Sequence, residues 1–219
     1  MGEIVVTCGH CGAKWRYDPG EGRNARTGQL AFRYVDIEQG TPGWHEWRER
    51  GVGASDAPAI MGENPWKSRK RLLKEKLENI RVPPNEKMRR GTRLEPEARR
   101  LYTQTTGVGV RPACLEHQTY TWLHASVDGL SHNAKTVVEI KCGESVYRHS
   151  ESKKTVPRYY VGQLQHILAL TELEEIDFWC YLPNRSPVFL KVERDRQYIN
   201  DLLGEEEAFW DELCELRGR

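Results

Sequence analysis

From residue 39 onward, the apolar positions of this 219-residue chain switch between two spacings. A spacing of three and four residues marks one face of a helix. Strict alternation marks a strand buried on one side. Residues 67–79 place Leu72, Leu73 and Leu77 on one helical face. A long helix follows, starting at residue 86 or 91 and ending at 106, with Leu94, Ala98, Leu101 and Tyr102 as its buried stripe. Glu95 borders that stripe, one turn below Arg99. Residues 158–170 repeat the pattern through Leu164, Ile167 and Leu168, and 195–216 predict a terminal helix. Two shorter helices are expected at 44–50 and 56–62, the second capped by Ser55 or Asp56. Strands are expected at 108–115, 122–127, 136–142, 176–182 and 188–192. Turns and breaks fall at 40–43, 64–65, 82–84, Asp128-Gly129, 131–133 and 183–187, where Gly, Pro and Asn cluster. Helices, a three-strand meander, another helix and a strand pair together predict an α/β fold with a central mixed sheet flanked by helices.

Residues 1–35 read differently. Cys8-Gly9-His10-Cys11 has the form of one knuckle of a zinc ribbon, followed by Gly-rich basic sequence. Structural zinc takes four ligands, and no second such pair follows within thirty residues. Zn²⁺ at Cys8 and Cys11 would therefore need further ligands, of which His45 is the next candidate; otherwise the knuckle is a degenerate ribbon or a site completed by another chain. The expected division is a small N-terminal appendage, 1–35, and a main domain, 36–219.

Composition narrows the picture. No apolar run approaches the roughly 18 residues of a membrane span, and the N-terminus lacks the pattern of a signal peptide. The remaining cysteines, Cys114, Cys142, Cys180 and Cys214, are scattered, as expected of reduced thiols in a cytoplasmic protein. Their spacing is not that of an iron–sulfur cluster. The net charge of +1 hides a segregation. Residues 66–100 hold thirteen Lys and Arg against five Glu, or +8, leaving −7 for the rest; residues 201–215 hold seven acids and no base. Such a block is either a footprint for a polyanion or a solvated helical face of paired charges.

The chemistry concentrates in one stretch. In a strand, Glu139 and Lys141 share a face while Val138 and Ile140 point the other way. Asp128 lies eleven residues before Glu139, at the end of the preceding apolar stretch, and Glu95 comes from the helix before. Three carboxylates with the main-chain carbonyl of Ile140 form the oxygen set that Mg²⁺ or Mn²⁺ prefers. One or two such ions would polarise a phosphodiester and activate water, with Lys141 orienting that water. Taken alone, Glu-x-Lys reads as a surface ion pair; Asp128-Gly129 eleven residues upstream, in a strand context, sets the two readings level.

Six blocks in order carry more weight: Trp44-His45-Glu46-Trp47-Arg48, Gly53-Ala54-Ser55-Asp56, Gly91-Thr92-Arg93-Leu94-Glu95, Ala125-Ser126-Val127-Asp128-Gly129, Val138-Glu139-Ile140-Lys141-Cys142 and Tyr159-Tyr160-Val161-Gly162-Gln163-Leu164-Gln165. Over residues 39–182 the chain resembles the lambda-exonuclease-like (YqaJ) viral recombinase nucleases, a branch of the PD-(D/E)xK superfamily. The resemblance implies a restriction-endonuclease-like core and a 5′-to-3′ exonuclease on linear double-stranded DNA. It further implies release of 5′-mononucleotides, a ring-shaped homotrimer, a single-strand annealing protein as partner, and the cytoplasm of a bacterial host. By the motif match Glu95, Asp128 and Glu139 are metal ligands and Lys141 the catalytic lysine. Arg48, Ser55, Ser126 and Gln165 form the grip on the 5′-phosphate, with Gln163 the second glutamine candidate. Val127 and Gly143 stand where the family commonly has Pro, but neither change removes a ligand. The competing expectations are an endonuclease on the same core and a nucleic-acid-binding protein with an inactive nuclease site.

Overall fold

The computed structural model describes residues 4–7, 14–17 and 30–218. β1 (Ile4–Thr7) and β2 (Lys14–Tyr17) pair antiparallel as a two-stranded sheet of their own. Cys8 and Cys11 lie outside the described residues, and so does the expectation of a zinc knuckle there.

The main sheet has seven strands: β3 (Phe32–Val35), β4 (Val52–Gly53), β5 (Val110–His117), β6 (Leu123–Ser131), β7 (Val137–Lys141), β8 (Glu175–Cys180) and β9 (Val188–Glu193). Their order is β3-β5-β6-β7-β8-β9, with β4 lying parallel against the start of β6. β5, β6 and β7 form the expected antiparallel meander. β7 and β8 are parallel, which requires a crossover. Two helices supply it, α5 (Glu144–Lys153) and α6 (Arg158–Thr171). The other helices are α1 (Pro42–Glu49), α2 (Ala57–Ile60), α3 (Arg69–Leu77), α4 (Glu86–Thr106) and α7 (Arg196–Leu216). The sheet reaches back to residue 32, inside the segment set apart as an appendage.

Among the described residues, apolar packing falls into three clusters. The largest joins α6, through Leu164, Ile167 and Leu168, to the sheet at Leu115, Ala125, Val137 and Phe178. A second joins Ala98 and Tyr102 of α4 to Val138, Ile140 and Trp179. A third ties α2, α3 and α7 together through Ile60, Leu72, Phe209 and Leu213. β7 thus sits between α4 and α6, its alternate residues serving different cores.

Of the two starts expected for the long helix, Glu86 is the one observed, where the Asn85 side chain caps it by accepting from Met88 N. Two local expectations are corrected. α5 was not expected: it buries only Val146, Tyr147 and Ser150, too little apolar periodicity to register. Most consequentially, Asp128-Gly129 is not a turn, because β6 runs through it to Ser131. Between Val127 and Leu130 β6 takes three steps, while its partner β5 takes two, from Ala113 to Arg111. The extra residue is a β-bulge, which bends a strand and re-aims a side chain. Gly129 is needed there for space: a Cβ would lie 2.6 Å from Val138 Cγ1 and 2.8 Å from Val110 Cγ2.

Candidate active site

A cleft of about 830 Å³ opens between α1, α4, α6 and the middle strands of the sheet. Arg48, Ser55, Glu95, Ser126, Asp128, Glu139, Ile140, Lys141 and Gln163 all line it. Gln165 does not. It is buried on the other side of α6, where its amide nitrogen donates to Glu193 O at 2.9 Å and its oxygen accepts from Asp195 N at 2.9 Å. Gln165 therefore ties α6 to the start of α7, and Gln163 is the glutamine that faces the cleft. Residues two apart on a helix point about 200° apart, so the two glutamines could not share one pocket.

The bulge in β6 organises the carboxylates. A bulge leaves main-chain groups without ladder partners, and buried ones must be satisfied otherwise. Gln39 Nε2 donates to Val127 O at 3.2 Å and Arg99 Nε to Asp128 O at 2.6 Å. The Asp128 carboxylate accepts from Ile140 N at 2.7 Å. Gly129 and Leu130 pair with Val138 and Val137, so one further step of that register sets Asp128 opposite Glu139. Glu95 enters from α4 and is held by Arg99 one turn on.

Glu139 is buried at 2% exposure, and one of its two oxygens is heavily used. Oε1 accepts from Lys141 Nζ and from Gln163 Nε2 at 2.6 Å. Oε2 is buried with no hydrogen-bond partner. Lys141 Nζ also donates to Gln163 Oε1 at 3.3 Å and stands 4.6 Å from the centre of the Tyr160 ring. Burial would lower the lysine's pKa, but Glu139, Tyr160 and Asp128 outweigh it and the ammonium stays charged.

The carboxylates behave in the opposite sense. Burial first, then repulsion from Asp128, raises Glu95 to about 7 and Glu139 to about 8. Asp128 is raised by burial against the opposing pull of Lys141, the Ile140 N–H and Arg99. Three acids held close with too little positive charge are short of a cation. Among the described residues no three such side chains stand at ligating spacing, and each of these carboxylates is held by a protein donor. The idle Glu139 Oε2 and the all-oxygen character of the set nonetheless fit a hard divalent ion.

The second half of the cleft is cationic. Arg48 Nη2 donates to Ser55 Oγ at 2.6 Å, and the guanidinium lies 4.6 Å from the centre of the Trp44 ring. Trp44 Nε1 donates to Ser126 Oγ at 2.8 Å. The structure therefore brings Arg48, Ser55 and Ser126 together around one indole, a role for Trp44 that the sequence reading missed. Tyr160 was missed too, although it sits one helical turn before Gln163. The basic block divides: Lys67, just before α3, and Arg71 on it pair with Glu75, and Arg69 pairs with Glu212 of α7. Lys87 and Arg90, at the start of α4, line the cleft and are exposed.

A model of the YqaJ-like viral recombinase domain matches residues 43–174, which takes in every candidate ligand, lysine and phosphate-pocket residue named above. The chain belongs to the YqaJ-like viral recombinase family. Protein YqaJ of Bacillus subtilis (strain 168), itself uncharacterized, is 27% identical over 176 residues, 76% of this chain and 55% of the relative. The chain thus spans about half the length of that curated relative. Among solved structures, an alkaline exonuclease from Laribacter hongkongensis (LHK-Exo) superposes with a TM-score of 0.72 at 28% identity, over 81% of this chain and 95% of that one. The same enzyme in complex with dAMP matches equally well. A phage-related exonuclease from Haemophilus somnus 129PT, at 16% identity and TM-score 0.53 over 75% of this chain and 95% of that one, shares the fold. The mixed α/β architecture, a mostly antiparallel sheet flanked by helices, is that of exonuclease structures of the YqaJ family.

Proposed function

We propose that this protein is a divalent-metal-dependent exonuclease of the PD-(D/E)xK type. In this reading it degrades linear double-stranded DNA from its 5′ ends and releases 5′-mononucleotides. The observation that carries the reading is the union, in one cleft, of three cation-deficient carboxylates beside a fixed lysine with a separate Arg–Ser pocket. Catalysis of phosphodiester hydrolysis needs the first; recognition of a strand end needs the second. The complex of LHK-Exo with dAMP, a nucleoside monophosphate, supports the same class of ligand here.

Glu95, Asp128 and Glu139, with the Ile140 main chain at the cleft wall, would hold Mg²⁺ or Mn²⁺. A bound ion supplies Lewis-acid polarisation and lowers the pKa of a bound water. The chain's own groups do the rest. Lys141, fixed by Glu139 and Gln163, orients the attacking water and offsets negative charge gathering on the phosphoryl oxygens. Water adds to phosphorus, the 3′ oxygen leaves, and a nucleotide with a 5′-phosphate departs. Arg48, Ser55 and Ser126 donate to the terminal 5′-phosphate, whose charge suits a guanidinium with hydroxyl donors. That anchor sets how far the strand enters before cleavage. The homotrimer and the single-strand annealing partner belong to the same proposal and rest on the family resemblance alone.

The test is digestion of one linear duplex carrying 5′-phosphate or 5′-hydroxyl ends, with closed circular DNA alongside and Asp128→Ala as control. Mononucleotide release from linear DNA only, faster from 5′-phosphate ends and abolished in the variant, is the expected result. Cutting of the circle would replace the reading with an endonuclease. Mg²⁺-independent binding without Asp128-dependent cleavage would replace it with a binding protein.

A further inference from the structure

We infer that Lys76 is a positioning residue of the 5′-phosphate pocket, fixing Arg48 and Ser55 from beneath without touching DNA. The inference rests on the pocket assigned under the proposed function. Lys76 lies on α3, in the middle of the basic block, yet its side chain is only 10% exposed and faces away from solvent. Its Nζ donates to Gly51 O at 2.9 Å and to Arg48 O at 3.3 Å, and pairs with Asp56 Oδ2 at 3.0 Å. An ammonium has three protons to give, and here all three have acceptors.

Those acceptors are not scattered. They come from the two ends and the middle of the 48–56 segment, which carries the two pocket residues that bond each other, Arg48 and Ser55. Asp56 Oδ2 also accepts from Gly53 N at 3.1 Å, closing the segment on itself around the ammonium. From outside, Arg217 at the end of α7 donates to Glu49 O at 3.0 Å and to Lys76 O at 2.7 Å. At Gly51 a Cβ would overlap the Trp122 carbonyl and the His124 ring, so the loop is seated directly on the β6 side of the sheet. The loop therefore has little freedom while the clamp holds, and the Arg48 side chain leaves a fixed backbone. Buried and paired, Lys76 is unavailable to a DNA phosphate, unlike Lys87 and Arg90 of the same block.

Removing the ammonium frees three acceptors and leaves Asp56 charged and buried, so Lys76→Met alone risks general destabilisation. The double variant Lys76→Met/Asp56→Asn removes both charges and keeps the fold testable. Two readouts are needed on each protein. One is kcat and KM on linear duplexes with 5′-phosphate or 5′-hydroxyl ends in Mg²⁺. The other is binding of the same duplexes in EDTA by fluorescence anisotropy. A positioning role predicts that preference for 5′-phosphate ends falls by on the order of tenfold to a hundredfold, as KM and as affinity. Turnover on 5′-hydroxyl ends stays within about twofold of wild type, since the carboxylates and Lys141 are untouched. Preference retained in the folded double variant overturns the inference, as does an equal loss on both kinds of end. A wild-type protein with no preference for 5′-phosphate in either readout overturns the pocket itself, and that is seen before any variant is made.

Discussion

Replacing Gly129 with alanine tests whether the bulge in β6 sets the carboxylates of the proposed active site. The added methyl would lie 2.6 Å from Val138 Cγ1, 2.8 Å from Val110 Cγ2 and 3.0 Å from Val110 Cβ. Ordinary contact begins near 3.4 Å, so about 0.8 Å must be recovered by moving something. Val138 is wholly buried and Val110 nearly so, both packed against Ala98 and Tyr102 of α4. Neither valine can swing into solvent, and the strands themselves must part. Overpacking of this kind costs about 1–3 kcal/mol. For a domain of this size that lowers Tm by roughly 2–12 °C. Activity should suffer more than stability. Val138 immediately precedes Glu139, and Asp128 immediately precedes Gly129, so the displacement falls between two of the three carboxylates. A misplacement near 1 Å costs on the order of a hundredfold in rate. The assays are thermal unfolding and single-turnover cleavage of a linear duplex. Val138→Ala in the same chain removes the nearest obstruction and should restore much of the lost rate while lowering stability further. Gly129→Ala with wild-type Tm and wild-type rate would refute the argument, as would a loss that Val138→Ala leaves unchanged.

Three further outcomes follow from the charges. Glu95 and Glu139 titrate near 7 and 8, well above their ordinary value, so without a cation the folded state holds protons that the unfolded chain releases above about pH 4.5. Their contribution to stability is present below that pH and is lost as pH rises through 7 to 8. A divalent ion replaces those protons, so the rise in Tm on adding Mg²⁺ or Mn²⁺ should be larger at pH 8 than at pH 6; an equal rise at both would contradict the cluster. Asp56 shows the reverse sign. Burial pushes its pKa up, but Lys76 and Arg48 hold it near 2. Its contribution, on the order of 2 kcal/mol, is present above about pH 4 and lost as pH falls toward 2, a component of acid unfolding that Lys76→Met/Asp56→Asn should abolish. Finally, Lys87→Gln/Arg90→Gln should reduce the slope of log affinity against log salt by about 2, one for each lost phosphate contact. The same exchange at Lys67 and Arg71, whose charges are spent on Glu75, should leave that slope unchanged.

The residues legible in the sequence were those whose chemistry is carried by type and short-range order. Glu139 and Lys141 announce themselves because two opposite charges alternate with two apolar residues in one strand, and the structure places Val138 and Ile140 in the α4 core and the charges in the cleft. Arg48 and Ser55 needed the surrounding blocks, since each alone passes for a helix end. The long-range devices escaped. Asp128-Gly129 has the composition of a hairpin turn, yet here the glycine makes room for Val138 and the aspartate is aimed by an extra residue in β6. The motif match ranks Gln165 above Gln163, and helix geometry reverses that order once α6 is docked: Gln163 faces Lys141, and Gln165 faces the start of α7. Lys76 looked like one more member of a basic surface, and only its partners, up to 28 residues away in sequence, withdraw it from that surface. These cases share a cause. A side chain's type is local, whereas its partners are set by register and packing, and in this cleft the partners decide the role. In the proposed function, Arg48 grips a phosphate only if its backbone is held, and Asp128 ligates only if the bulge aims it. Support of this kind, from Lys76 below the first and Gly129 behind the second, makes the two halves of the cleft separable by mutation. Loss at Lys76 should fall on recognition of the strand end and loss at Gly129 on cleavage, so if both variants lower the same kinetic constant, the cleft is a single device and not an anchor joined to a blade.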